Sequence, residues 1–189
     1  MTTTLHSTVQ ARLGWTWRDR AGSAWIVDSN RLESRIDLAD GTGRRQADAV
    51  WHAYDQVLGE GQSVNIELDG LEQNLFGGAV VIRMARVKAL LIVNKNSSGP
   101  GYLHIGGAQV DEWYAPFGGP GGTLKVMPDG LVLLTNCSDG WIVDAQHAVL
   151  RLAAAGGSVT FDIAVLGTLN NPTSSEGEPQ EPDSSSSGI

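Results

Sequence analysis

This 189-residue sequence predicts an all-β fold: an antiparallel β-sandwich or jelly roll with glycine-rich turns and a flexible acidic C-terminal tail. Three observations carry that expectation. Apolar and polar residues alternate with period two in several stretches, as strands with one covered face require. Turn chemistry separates these stretches at short intervals, as it does in sandwiches and jelly rolls. Glycine supplies 24 residues, enough for many tight turns.

The elements follow in order. Leu5, Val9, Ala11, Leu13, Trp15 and Trp17 alternate with His6, Thr8, Gln10, Arg12, Thr16 and Arg18, predicting one long half-buried strand. Leu32, Ile36 and Leu38 alternate with Arg31, Glu33, Arg35 and Asp37 and end at Asp40-Gly41. Residues 47–58 (ADAVWHAYDQVL) are ambiguous. Ala47, Val50, Trp51, Tyr54 and Leu58 fall at helical spacing, which slightly favours a short amphipathic helix over a strand presenting Val50, His52 and Tyr54. Val64, Ile66 and Leu68 predict another strand. Val87–Val93 and Leu131–Leu134 are continuous apolar runs, which suit strands covered on both faces. Shorter strands are expected at Tyr102–Ile105, Thr123–Met127, Trp141–Val143 and Val149–Leu152, and an alternating one at Val159–Val165. Turns at 96–101, 118–122, 128–130, 139–140 and 156–157 divide them.

Three regions result: an N-terminal strand region over 1–30, packing on the sandwich or on a neighbour; a sandwich domain over 31–168; and a tail over 169–189. The tail holds Glu176, Glu178, Glu181 and Asp183 with no Lys or Arg and little to bury, so it is expected to be flexible. The formal net charge of −8 argues against a nucleic-acid partner held by phosphate contacts. No apolar run reaches the roughly 20 residues that span a bilayer, and no secretory signal is visible at the N-terminus.

Sites of chemistry are scarce. His6, His52, His104 and His147 share no metal-binding spacing and read as surface or edge residues. Asp40, Asp69, Asp129 and Asp139 precede glycine and read as turn residues. Cys137 lies beside a turn with no neighbouring His and reads as a structural thiol. Gly41-Thr42-Gly43-Arg44-Arg45 lacks the lysine and spacing of a phosphate loop. No catalytic, cofactor-binding or metal-binding residue is expected. Two groups stand out as contact candidates. Trp113, Tyr114 and Phe117 gather three rings in one loop, which either plugs the end of the sandwich or binds a partner or glycan. Trp15 and Trp17 on the first strand, with Arg83 and Arg86 before the 87–93 run, are candidate assembly contacts.

Taken together, NRLESRIDLADGTGRRQADAVWHAYDQVLGEGQSVNIELDGL, LFGG, RVKALLIVNKNSSGPGYLHIGG, EWYAPFGGPGGTLKVMPDGLVLL, DGWIV and VTFDIAVLGT form a pattern over about residues 30–168. It resembles a group of small proteins encoded among the virion structural genes of tailed bacteriophages and prophages. The resemblance implies an all-β virion component: capsid decoration, head fibre or tail accessory. It has no catalytic residue to carry over, and it implies a strand rather than a helix at ADAVWH. The acidic tail departs from it.

The expected function is therefore a non-enzymatic virion structural protein, assembled in a bacterial cytoplasm. It would pair with itself, as a trimer by preference, and with other virion proteins. A carbohydrate- or receptor-binding module built on Trp113, Tyr114 and Phe117 is the alternative. It requires those rings to be exposed and roughly coplanar.

Overall fold

A computed structural model describes residues 4–75 and 77–170. It is all-β. The strands are β1 (Ser7–Ala21), β2 (Ala24–Leu38), β3 (Ala49–Leu58), β4 (Ser63–Glu67), β5 (Leu71–Leu75), β6 (Gly78–Ile82), β7 (Met84–Asn94), β8 (Tyr102–Gly106), β9 (Thr123–Val126), β10 (Leu131–Thr135), β11 (Trp141–Ile142), β12 (Val149–Ala155) and β13 (Val159–Leu169). Every strand pair is antiparallel.

Two larger sheets make the body. One runs β10-β7-β13-β3, with β11 also on β7; the other runs β4-β12-β8-β9. Their inward side chains form one buried cluster, including Leu90, Ile92, Phe161, Ile163 and Val165 from the first sheet and Leu103, Ile105, Val126, Leu150 and Leu152 from the second. Alternation in β13 is what builds it: Val159, Phe161, Ile163 and Val165 all point inward and none is exposed. A hairpin of β5 and β6, which no strong alternation in LEQNL announces, adds Leu71 and Ile82 to the same cluster.

The helical spacing at 47–58 is overridden. Those residues form β3, paired along β13, with Ala49 and Trp51 turned toward the core. A bulge explains the misleading period. Tyr54 and Asp55 together oppose Asp162, Asp55 adopts a φ of 53°, and the parity of the strand shifts beyond it. The Asp55 amide donates to Asp162 Oδ1 at 2.7 Å, and Lys95 Nζ bonds the Asp55 carboxylate.

A second irregularity sits in β7. Leu166 pairs with Ala89 but Gly167 pairs with Val87, so Lys88 is the extra residue. Val87 and Lys88 are consequently both buried. A Cβ on Gly167 would stand 2.1 Å from Arg86 O, so only glycine lets the strands approach here. Lys88 is 1% exposed, and its ammonium donates to Ser138 O at 2.8 Å and Gly43 O at 3.2 Å. Burial holds its pKa below the usual lysine value, with Arg86 adding to the effect. Lys88 is the one charged residue inside the apolar run of 87–93, and the bulge turns it inward.

Three other expectations change. β1 and β2 pair with each other over their full length, so the boundary expected at residue 30 falls inside β2. Leu169, assigned to the tail, is the last residue of β13, and its amide donates to Asp48 Oδ1. The tail beyond 170 lies outside the described residues. The apolar runs of β7 and β10 are covered on one face, not two: Leu91 and Leu131 are exposed on the other.

Candidate functional site

β1 and β2 form an unbroken ladder of fifteen residue pairs. At about 3.3 Å per residue the arm is roughly 50 Å long. Its tip is Gly22-Ser23, and a positive φ at Gly22 alone of the two matches a type II′ hairpin turn.

Register sorts the arm into two faces. One carries Val9, Ala11, Leu13, Trp15 and Trp17 of β1 with Ile26, Leu32, Ile36 and Leu38 of β2, interrupted by Asp19, Asp28, Asn30 and Ser34. The other carries Thr8, Gln10, Arg12, Thr16, Arg18 and Arg20 with Arg31, Glu33, Arg35 and Asp37, and only Trp25 and Val27 near the tip are apolar. The polar face is knitted by side chains. Gln10 donates to Glu33, Thr16 meets Ser29, and Asp37 accepts from Thr8 and from Arg35. The Thr8 and Arg35 bonds hold the Asp37 carboxyl below the usual aspartate pKa.

The apolar face is covered only at its root. There Leu38 packs with Ala47 and Cys137, and Leu5, Val9, Ile36 and Leu166 close around them. Cys137 is thereby the structural thiol expected from sequence; burial raises its pKa. Past Ala11 the cover ends. Leu13 is 66%, Trp17 73% and Leu32 70% exposed. The half-buried strand expected from alternation is thus an exposed one: the pattern marks an apolar face correctly, but nothing among the described residues covers it.

Beneath the root lies a second open apolar surface, the outer face of the β10-β7-β13-β3 sheet. A groove between Ser7–Arg12 and this face is lined by Val50, Ala89, Leu91, Leu131, Leu133 and Leu166. Leu131 is 65% exposed, and Tyr54 and Val57 extend the open face along β3. Ser7 Oγ, at the groove, is buried without a hydrogen-bond partner among the described residues.

The other candidates fall elsewhere. Arg83 and Arg86 stay on the body, each reaching a backbone carbonyl, of Asp69 and Asp139 respectively, at 3.4 Å. They do not form one site with Trp15 and Trp17. In the aromatic loop, Trp113 is 1% exposed and its indole N–H donates to Ile142 O at 3.0 Å. Its ring meets Phe117 and Trp141 edge-on, at 90° and 88°. Tyr114 stands edge-on to His147, whose Nδ1 pairs with Asp144 at 2.9 Å. These rings are perpendicular and partly core, so they do not make the flat platform that sugar stacking requires. Glu112 secures the loop by accepting from the amides of Gly107 and Gly121.

Among the described residues, no three His, Cys, Asp or Glu side chains gather as a metal site would need, and no helix is long and apolar enough to cross a membrane. Comparison of the chain with protein-family models, with curated proteins and with solved structures returns no match.

Proposed function

We propose that this chain is a non-enzymatic structural protein of a tailed-bacteriophage particle, acting through protein–protein contacts. The observation that carries this reading is the arm: a roughly 50 Å hairpin whose apolar face, beyond its root, leaves Leu13, Trp15, Trp17, Ile26 and Leu32 in solvent. An isolated two-stranded hairpin is marginal in water, and a monomeric protein rarely exposes so large an apolar stripe. Such a face serves contact. The virion setting rests on the sequence pattern over residues 30–168, and a capsid decoration, head fibre or tail accessory each fits it. We read the body as a sandwich of the two large sheets, with the Trp113 loop folded back against the shared core. Self-association into a closed ring, a trimer first, is the assembly this reading favours.

The test is mass spectrometry of purified particles from the phage or prophage that encodes the chain. The expected result is its presence at a stoichiometry tied to another virion protein. Particles that are complete and infectious without it, and that never contain it, would overturn the reading.

A further inference from the structure

We propose that the apolar face of the arm lies on the open outer sheet face of a second copy of this chain, in a head-to-tail contact. This rests on the assembly reading above and names its partner.

Continuity points to that partner. At the root, the arm's apolar face already packs on the same side of the same sheet: Val9, Ile36 and Leu38 contact the layer of Leu166, Ala47 and Cys137. Each surface then runs on past the contact. The arm continues through Leu13, Trp15, Trp17, Ile26 and Leu32, and the sheet continues through Leu91 and Leu131 to Tyr54 and Val57. The two exposed surfaces are therefore of one kind and already meet in part.

The described part of the chain does not join the remainder to itself. β1 and β2 pair from Ser7↔Leu38 to Ala21↔Ala24 without a bulge, so the arm has no bend at which to fold back over its own body. Among the described residues, nothing lies over the arm's apolar face beyond Ala11.

Size agrees. The five exposed side chains of the arm's apolar face hold on the order of 600 Å² of accessible surface, and a standard interface takes about 800 Å² from each partner. One arm face laid on a sheet face of matching area therefore buries about 1,200 Å² in total, the lower end of the range for a stable interface. The arm's five arginines lie on its polar face, turned away from this contact, and Asp19 and Asp28 share its apolar face. Contacts between two different patches close into rings where the rotation permits.

The experiment is light scattering and sedimentation of the full-length chain over a concentration series. Four samples are compared with wild type: Trp17→Asp on the arm's apolar face, Leu131→Asp on the sheet face, Thr16→Asp on the arm's polar face, and an equimolar mixture of the first two. All three substituted side chains are solvent-facing in the single chain, so far-UV circular dichroism should be unchanged. Leu13→Asp serves as a second arm variant if Trp17→Asp fails that check. The expected result is that Trp17→Asp and Leu131→Asp each weaken self-association at least about 100-fold, while Thr16→Asp assembles as wild type. The mixture should form dimers and stop there, because only one productive pairing, a Leu131→Asp arm on a Trp17→Asp sheet, is left. If Leu131→Asp assembles as wild type while Trp17→Asp does not, the arm covers something other than this sheet, such as a second arm, and the inference fails. If both assemble as wild type, the inference fails and self-association by another surface still stands. A wild-type chain that stays monomeric at high micromolar concentration overturns the inference as well; particle incorporation, measured separately, then decides whether the structural role survives.

Discussion

Replacing Trp113 with alanine separates the two kinds of aromatic in this protein. Trp113 is among the largest fully buried side chains, and its ring fills the space between Phe117 and Trp141, each with its centroid 6.1 Å away. Truncating a buried tryptophan costs about 3–5 kcal/mol through lost transfer energy and the cavity left behind. The two edge-on ring contacts lie within that figure rather than on top of it. The lost indole bond to Ile142 O adds under about 1 kcal/mol, because Ile142 is exposed and its carbonyl can take water. The sum is about 3–6 kcal/mol. With an m-value of about 2 kcal/mol per molar in urea, the midpoint should fall by roughly 2 M. The assay is urea unfolding followed by far-UV circular dichroism, at a fixed concentration dilute enough to keep the chain monomeric. Under the same conditions Trp17→Ala should stay within about 0.5 kcal/mol of wild type, as surface substitutions do. A Trp113→Ala shift below about 1 kcal/mol would refute the assignment of this loop to the core and reopen the exposed-platform geometry.

Further outcomes follow from particular contacts. Gly167→Ala should destabilise by about 3 kcal/mol, since its Cβ would strike Arg86 O and overpacking of a tight site costs on that scale; thermal or urea unfolding reads it. Glu112→Ala should cost about 2 kcal/mol and speed hydrogen exchange at the Gly107 and Gly121 amides, because one carboxylate accepts from both. Lys88 makes stability depend on alkali. Its pKa is lowered in the folded chain, so between that value and the unfolded value of 10.5 the unfolded chain holds the extra proton, and stability should rise with pH. Cys137, with its raised pKa, acts in the opposite sense above 9.0, so the measurement belongs in Cys137→Ala. Melting temperature should climb through the window below pH 10.5 in that background, and Lys88→Met should abolish the climb.

Much of the fold is legible in the residues because alternation reports a strand with one apolar face directly. β13 and β4 fall where their patterns place them, and the Asp-Gly and Gly-Gly clusters mark real breaks. The failures have physical causes. At 47–58 the spacing misleads while the strand implied by the resemblance is the one observed: a bulge at Asp55 shifts strand parity, and the shifted pattern imitates a helical period. At Lys88 a second bulge turns a charged residue inward, which no spacing rule anticipates. β5 has too short and polar a sequence to announce itself. For the candidate site, alternation identifies Trp15 and Trp17 on one face but cannot say what meets that face. An exposed apolar stripe and a core-facing one are written identically. Arg83 and Arg86 show the converse: their charge suggested contact, and the fold ties them to nearby carbonyls.

The most direct test of the role given to these surfaces is hydroxyl-radical footprinting of the full chain from dilute to concentrated solution. Trp17 and Leu131 should lose reactivity together, with one midpoint in concentration, while Trp25 on the opposite face of the arm stays reactive. Trp17 and Leu131 remaining as reactive at high concentration as in dilute solution would contradict it.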